Sequence, residues 1–155
     1  MAKCEINFPH ELEIKLSRCG SRIDEITGKS LEAAAETALP VFKSNLAQSI
    51  GDTQFESRST GELLDSVGIS PVEVDKKGII NIKVGFREPR SNQYSAKGKR
   101  SYYRITNAMI ANVLEYGKHS AHQPPRPFLK RTKAQVKNSC IAAAQKAFDK
   151  EFDQL

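Results

Sequence analysis

The sequence predicts an α+β fold in which two long helices bracket a small antiparallel sheet. Apolar residues recur at helical spacing towards both ends of the chain, and two β-branched runs in its middle flank a turn. The chain has 155 residues, which is enough to bury one hydrophobic core. We therefore expect residues 1–155 to form a single domain.

The first long helix is predicted for residues 30–50. Apolar side chains such as Phe42 and Leu46 recur there every three or four positions, while charged side chains take the other faces. Pro40 lacks a backbone donor and crowds the preceding turn, so we expect a kink or a break near the two residues before it. A separate short helix is expected within residues 6–16.

The middle of the chain is predicted to hold the sheet. A hydroxyl of Ser59 or Thr60 should cap a short helix that stops at Gly68. Residues 69–86 then alternate around an Asp-Lys-Lys-Gly turn, which predicts a β-hairpin. A third strand is expected near residues 102–105.

The C-terminal part is predicted to be helical on either side of an irregular segment. Residues 107–116 have helical spacing, and Gly117 is a natural stop for that helix. Residues 118–127 include three prolines and should be irregular. One long helix is expected for residues 128–155, and the economical arrangement lays both long helices over the sheet.

Two stretches are strongly basic in a chain whose formal net charge is +6. Residues 87–104 hold six cations and one anion, and residues 126–137 hold five cations and no acid. Such stretches attract nucleic acid or acidic protein surfaces, although a solvated face is the plainer explanation.

Residues 87–101 form a basic loop with few apolar anchors, so we expect this loop to be mobile in the free subunit. It should become ordered only against a partner, either DNA in a channel or an acidic protein surface. The proposed contact residues are Arg87, Arg90, Lys97, Lys99 and Arg100.

Sequence signatures of catalysis are absent. The chain has no phosphate-binding loop, dinucleotide fingerprint, nucleophile elbow or helical zinc motif. His119 and His122 stand three apart, but no cysteine or carboxylate is close in sequence. Cys4, Cys19 and Cys140 are odd in number and widely spaced, which favours reduced thiols. We expect no enzymatic activity, no cofactor and no metal.

Four short phrases occur in a fixed order. Residues 60–67 read T-G-E-L-L-D-S-V, residues 84–86 read V-G-F, residues 113–117 read V-L-E-Y-G, and residues 125–129 read P-R-P-F-L. Together they resemble the phage tail-completion and neck protein family, which includes minor tail components and head-tail joining proteins. Members typically show T-G-x-L-x-x-S-[IV], a V-G hairpin strand, E-[FY]-G and [AP]-R-P-F-[LM]. This chain departs from the pattern at Lys118, where many relatives have threonine.

The resemblance implies a structural, non-enzymatic protein. It implies a homo-oligomeric ring at the head-tail junction, with six copies favoured over twelve and a channel through which DNA passes. The implied partners are the adjoining head-tail connector and the tail tube or terminator proteins, with transient contact to genomic DNA and none to membrane. The implied location is the virion, reached from the host cytoplasm during assembly.

The last two phrases also suggest local roles. Gly117 is suited to end a helix with a positive φ, Pro127 to begin the next helix, and Phe128 to anchor it in the core. Glu115 and Arg126 lie on either side of the loop between these helices. We expect them to form an ion pair, either within a subunit or across the ring interface.

Three other classes of function remain open. A small basic nucleic-acid-binding regulatory protein would use the basic stretches directly, and it predicts tight, salt-sensitive binding to short duplexes. A small enzyme would require a site that the sequence does not reveal. A host adaptor or toxin-antitoxin component is the third alternative.

Overall fold

The computed structural model describes residues 10–52, 59–88, 106–119 and 122–155. The predicted third strand near residues 102–105 and most of the basic loop lie outside these ranges. Along the chain the elements are α1 His10–Ile50, α2 Glu62–Asp65, β1 Val67–Ile69, β2 Glu73–Val74, β3 Ile80–Asn81, β4 Val84–Phe86, α3 Asn107–Tyr116 and α4 Phe128–Asp153. The predicted α+β class and the two long helices are confirmed.

Helix α1 is one continuous helix of 41 residues, with Pro40 inside it. The helix expected within residues 6–16 is therefore part of α1 from His10 onward, and a break at Pro40 is wrong. Cys19 and Ile26 are buried and extend the apolar stripe towards the N-terminus. Phe42 and Leu46 are buried just after the proline. Burial on both sides of Pro40 offsets the roughly 3 kcal/mol that an interior proline costs a helix.

Helices α1 and α4 form an antiparallel pair, which is the most extensive contact between elements among the described residues. Near one end, Asn45 Nδ2 donates to Thr132 Oγ1 over 3.0 Å. Near the other end, Lys29 Nζ lies 2.7 Å from Glu151 Oε2. Helix α4 therefore packs mainly along α1, and it meets the sheet at its first residue, where Phe128 contacts Phe86 of β4. The predicted packing of both long helices against the sheet is confirmed.

The four strands form the predicted hairpin as two short antiparallel ladders. β1 pairs with β4, and β2 pairs with β3. Pro71 lies between β1 and β2 and cannot donate to a ladder, and the pairing shifts there by one residue. At the turn, Asp75 Oδ1 accepts from the amide of Ile79 over 2.9 Å, and Gly78 has φ +78°.

The short helix α2 begins differently from the prediction. Its N-cap is Gly61, with φ +80°, and no side chain caps it. The hydroxyl of Ser59 accepts from the amide of Gly61 itself over 3.2 Å. Gly68 was expected to stop this helix, but it lies within β1 because Val67 is already in the strand.

Side chains from five of the elements form one hydrophobic core where the C-terminal part of α1 meets the start of α4. The buried members are Phe42, Leu46, Leu63, Val67, Ala111, Leu114 and Phe128. None of the described helices is long and apolar enough to span a membrane.

Candidate assembly site at the junction of α3 and α4

The phrases singled out in the sequence converge on this core. Leu63 and Val67 come from the first phrase, Phe86 from the second, and Leu114 and Phe128 from the last two. The ring centroids of Phe86 and Phe128 lie 6.4 Å apart in an edge-to-face arrangement. Residues that are more than 60 positions apart in sequence therefore pack into one cluster.

The end of α3 requires a glycine for two reasons. Gly117 has φ +74°, a conformation that costs other residues energy. A Cβ atom at this position would lie 2.7 Å from the carbonyl oxygen of Gln123 and 2.9 Å from the nitrogen of Pro125. The predicted role of Gly117 is confirmed, and the close approach of the following loop adds a second constraint that the sequence did not reveal.

The loop after Gly117 folds back on itself. Lys118 and Gln123 exchange backbone hydrogen bonds of 2.8 and 3.1 Å, and the amide of Arg126 donates to the carbonyl of Leu114 over 2.6 Å. The chain thus returns to the end of α3 before α4 begins. Pro127 is the N-cap residue of α4, one position before the first turn in which we expected it. Phe128 is fully buried, as predicted.

Glu115 supplies the cap that Pro127 lacks. No side chain of the N-cap residue bonds to the start of α4, and the Glu115 carboxylate reaches it from α3. Its Oε2 accepts from the amide of Leu129 over 2.7 Å, and its Oε1 accepts from the amide of Lys130 over 3.0 Å. A carboxylate at this position satisfies two amides that the helix leaves open and lies at the positive end of the helix dipole.

Within the subunit, Glu115 and Arg126 make two other contacts in place of the predicted ion pair, while a pair across a ring interface stays a prediction. Glu115 is only 6% exposed and binds the backbone of α4. Arg126 Nη1 instead donates to the carbonyl of Ser49, near the end of α1, over 2.9 Å. Each charge satisfies the end of a different helix, because helix termini leave backbone groups without intrahelical partners.

A buried amide side chain that sequence reasoning missed holds the start of α3. Asn107 is 1% exposed, and its Nδ2 donates to the carbonyl of Arg87 over 2.9 Å. Glu88 Oε1 accepts from the amide of Ala108 over 2.9 Å. These contacts fix the two ends of the 89–105 segment beside each other. From the sequence, an asparagine at the start of a helix suggests a capping residue. Its burial depends on contacts with distant residues and is seen only in the fold.

The predicted contact residues of the basic loop are only partly described. Arg87 is exposed at the end of β4. The other four, Arg90, Lys97, Lys99 and Arg100, lie outside the described residues. The prediction that this loop is mobile also concerns residues outside the described ranges.

The surface around the junction carries exposed apolar side chains. On α3, Tyr116 is 75% exposed and Met109 is 51% exposed. On the hairpin, Val74 and Ile79 are also exposed. Beside β1 and β4, a groove of about 540 Å³ runs over the facing pair Gly68 and Gly85.

Ligand chemistry is sparse in the described part of the chain. Within it, no group of three or more His, Cys, Asp or Glu side chains is arranged to hold a metal ion. Cys19 and Cys140 are free thiols, and Cys4 lies outside the described residues. What the junction provides is a rigid joint between helices with apolar surface next to it.

No protein-family model, curated protein or solved structure matches this chain.

Proposed function

We propose that the protein is a structural subunit of the head-tail junction of a tailed phage, where copies assemble into a ring that completes the tail or neck. The observation that carries this proposal is the convergence of the phrases on one core and one junction. Glu115, Gly117, Arg126 and Phe128 each have a defined task in joining α3 to α4. The pattern on which the resemblance rests therefore corresponds to one structural unit.

The convergence supports the proposal because a chance match would leave the phrases unrelated in space. Here the Glu of E-Y-G caps the helix that begins with the Phe of P-R-P-F-L, and the Gly allows the loop between them to approach closely. The phrases thus depend on each other physically.

A closed ring requires two different patches on each subunit, so that each copy binds the next one head to tail. Two apolar patches suit this requirement. One is on α3, with Met109 and Tyr116, and the other is near the hairpin turn, with Val74 and Ile79. Contiguous apolar patches are typical of surfaces that another molecule covers, whereas a single exposed apolar side chain such as Ile141 is common on any protein surface.

In the proposed ring six copies surround a channel that DNA traverses. The faces above and below the ring would bind the head-tail connector on one side and the tail tube or terminator protein on the other. No catalytic step is part of this role.

Joining of purified heads and tails tests the proposal directly. Heads and tails made without this protein should remain separate, and adding the wild-type protein should produce joined particles with a ring at the neck in electron micrographs. The double variant Tyr116→Ser with Val74→Ser should reduce joining strongly. Ile141→Ser, at a site on α4 that is also exposed, is the matched control and should join normally.

Two results would reject the proposal. One is a lack of joining by correctly folded wild-type protein. The other is tight binding to one particular short duplex, far above its binding to random sequence, which would favour a nucleic-acid-binding regulator instead. Gene order offers an independent check, since capsid, connector and tail-tube genes should flank the gene for this protein.

A further inference from the structure

Helix α4 carries a row of exposed lysines. Lys130, Lys133 and Lys137 are spaced three and four residues apart, so they share one face of the helix. All three are exposed, and none of their ammonium groups forms an ion pair with a residue of the described ranges. Thr132 lies on a different face of the helix, where it is buried and accepts a hydrogen bond from Asn45 of α1.

The charges of α4 run against the preference of an isolated helix. Lys130 and Arg131 lie in the first turn, which has no acidic residue, whereas Asp149, Glu151 and Asp153 outnumber Lys150 near the C-terminal end. The helix dipole favours the opposite order, with anions first and cations last. The stability of α4 therefore does not explain the lysine row. A charge order that opposes the helix dipole is a departure from local preference, and such departures are typical of functional surfaces.

The composition of this face favours phosphate over protein as its partner. The exposed residues between Lys130 and Lys137, apart from Lys133, are Arg131, Ala134 and Gln135, and none of them is a large apolar anchor; the exposed Ile141 lies one turn beyond the row. Protein interfaces need such anchors and are depleted in lysine. Lysine binds phosphate as a flexible point charge. The row spans roughly 10 Å, and duplex DNA carries a charge about every 1.7 Å of its axis, so several phosphates lie within reach.

We propose that the lysine face of α4, formed by Lys130, Lys133 and Lys137, binds the sugar-phosphate backbone of duplex DNA without reading its sequence. It is a DNA-contact surface distinct from the basic loop of residues 87–101. The identification of this DNA as the genome in the channel of a ring rests on the proposed function. The proposal that this face binds DNA does not depend on that function.

The salt dependence of DNA binding tests this proposal. Wild-type protein and the triple variant K130Q, K133Q, K137Q are titrated with a short random-sequence duplex between about 50 and 200 mM salt. The slope of log K against log salt should fall in magnitude by roughly 2 to 3, because each neutralised phosphate contributes about 0.9. The melting temperature should not fall, since the change at Lys130 removes a cation from the positive end of α4.

A control with the same change of charge separates a surface from a general effect of net charge. Lys76 and Lys77 in the hairpin turn and Lys146 near the other end of α4 are exposed. Their triple change to Gln should leave the slope at the wild-type value.

Three results would overturn the proposal: equal loss of slope in both triple variants, no DNA binding by the wild type at low salt, or competition by polyglutamate as strong as that by DNA. The last result would indicate an acidic protein as the partner. The binding assay uses purified protein alone, and joining of heads and tails by the wild type is measured separately. Failure of the DNA surface and failure of the proposed function are therefore distinguishable.

Discussion

Removal of the Glu115 carboxylate should be the most damaging single change at the junction. The side chain is 6% exposed and accepts hydrogen bonds from the amides of Leu129 and Lys130. In Glu115→Ala both amides lose their partner at a site that water barely reaches. Glu115→Gln keeps the shape and one acceptor oxygen but loses the charge and turns an NH₂ group towards a donor.

The structure sets the size of the expected effect. Loss of an N-cap costs about 1 kcal/mol, each unsatisfied buried amide costs about 1–3 kcal/mol, and a partly buried charge at a helix end is worth up to about 2 kcal/mol. These contributions overlap because they describe the same contact. We expect Glu115→Ala to lower the free energy of unfolding by about 2–4 kcal/mol and Glu115→Gln by about half as much.

Urea denaturation followed by circular dichroism measures these losses. Glu32→Ala and Glu32→Gln, on the exposed side of α1, are the matched controls and should change the free energy of unfolding by less than about 0.5 kcal/mol. Hydrogen exchange should show faster exchange at the amides of Leu129 and Lys130 in the Glu115 variants than in the wild type.

Equal stabilities of the Glu115 and Glu32 variants would refute the capping role. A double charge swap gives a second test. Glu115→Arg should destabilise the protein, and adding Arg126→Glu should not restore it, because the two side chains bind the ends of different helices. Restoration would mean that the two charges pair with each other.

Three further predictions follow from particular sites. Gly117→Ala should lower the free energy of unfolding, measured by urea denaturation, by about 2–4 kcal/mol, because the new Cβ overlaps with backbone atoms at a residue with positive φ. Gly78→Ala is the control, with φ +78° and open space around it, and should cost only about 1 kcal/mol. Equal losses in the two variants would refute the steric overlap at Gly117. Burial raises the pKa of the Cys140 thiol, so alkylation of Cys140 in the folded protein should require a higher pH than in urea, and stability should fall as pH rises above the pKa of the unfolded thiol. Hydrogen bonds from Arg22, first, and from Lys29 lower the pKa of Glu25 to about 2. NMR titration of the Glu25 carboxyl carbon should show this low pKa, and Arg22→Gln should raise it. The ionised carboxylate should stabilise the fold above the pKa of the unfolded state, and this contribution should be lost as pH falls towards about 2.

The sequence predicted those elements whose signals are local. The turn after β2 was identified because aspartate and glycine have direct roles there, and the structure shows Asp75 binding the turn amides. Gly117 was recognised as a helix stop for a similar reason, since only its own backbone conformation was in question. The helices α3 and α4 could be predicted because the apolar residues of an amphipathic helix recur every three or four positions and so identify its buried face.

The errors arose where distant residues outweigh a local preference. Pro40 disfavours the interior of a helix, yet α1 continues through it because both flanking segments are buried against the rest of the fold. The N-cap of α2 is Gly61, with φ +80°, and not a hydroxyl residue. A local reading of propensity cannot weigh such contacts.

By itself the sequence determined the α+β class, the hairpin, the positions of α3 and α4, and the residues that make up the junction. Only the tertiary structure decided how those residues are connected. Glu115 and Arg126 lie eleven positions apart with opposite charges, and sequence alone suggests that they attract each other. In the folded chain each lies beside the unsatisfied end of a different helix, and a buried backbone group without a partner costs more than an exposed pair of charges would gain.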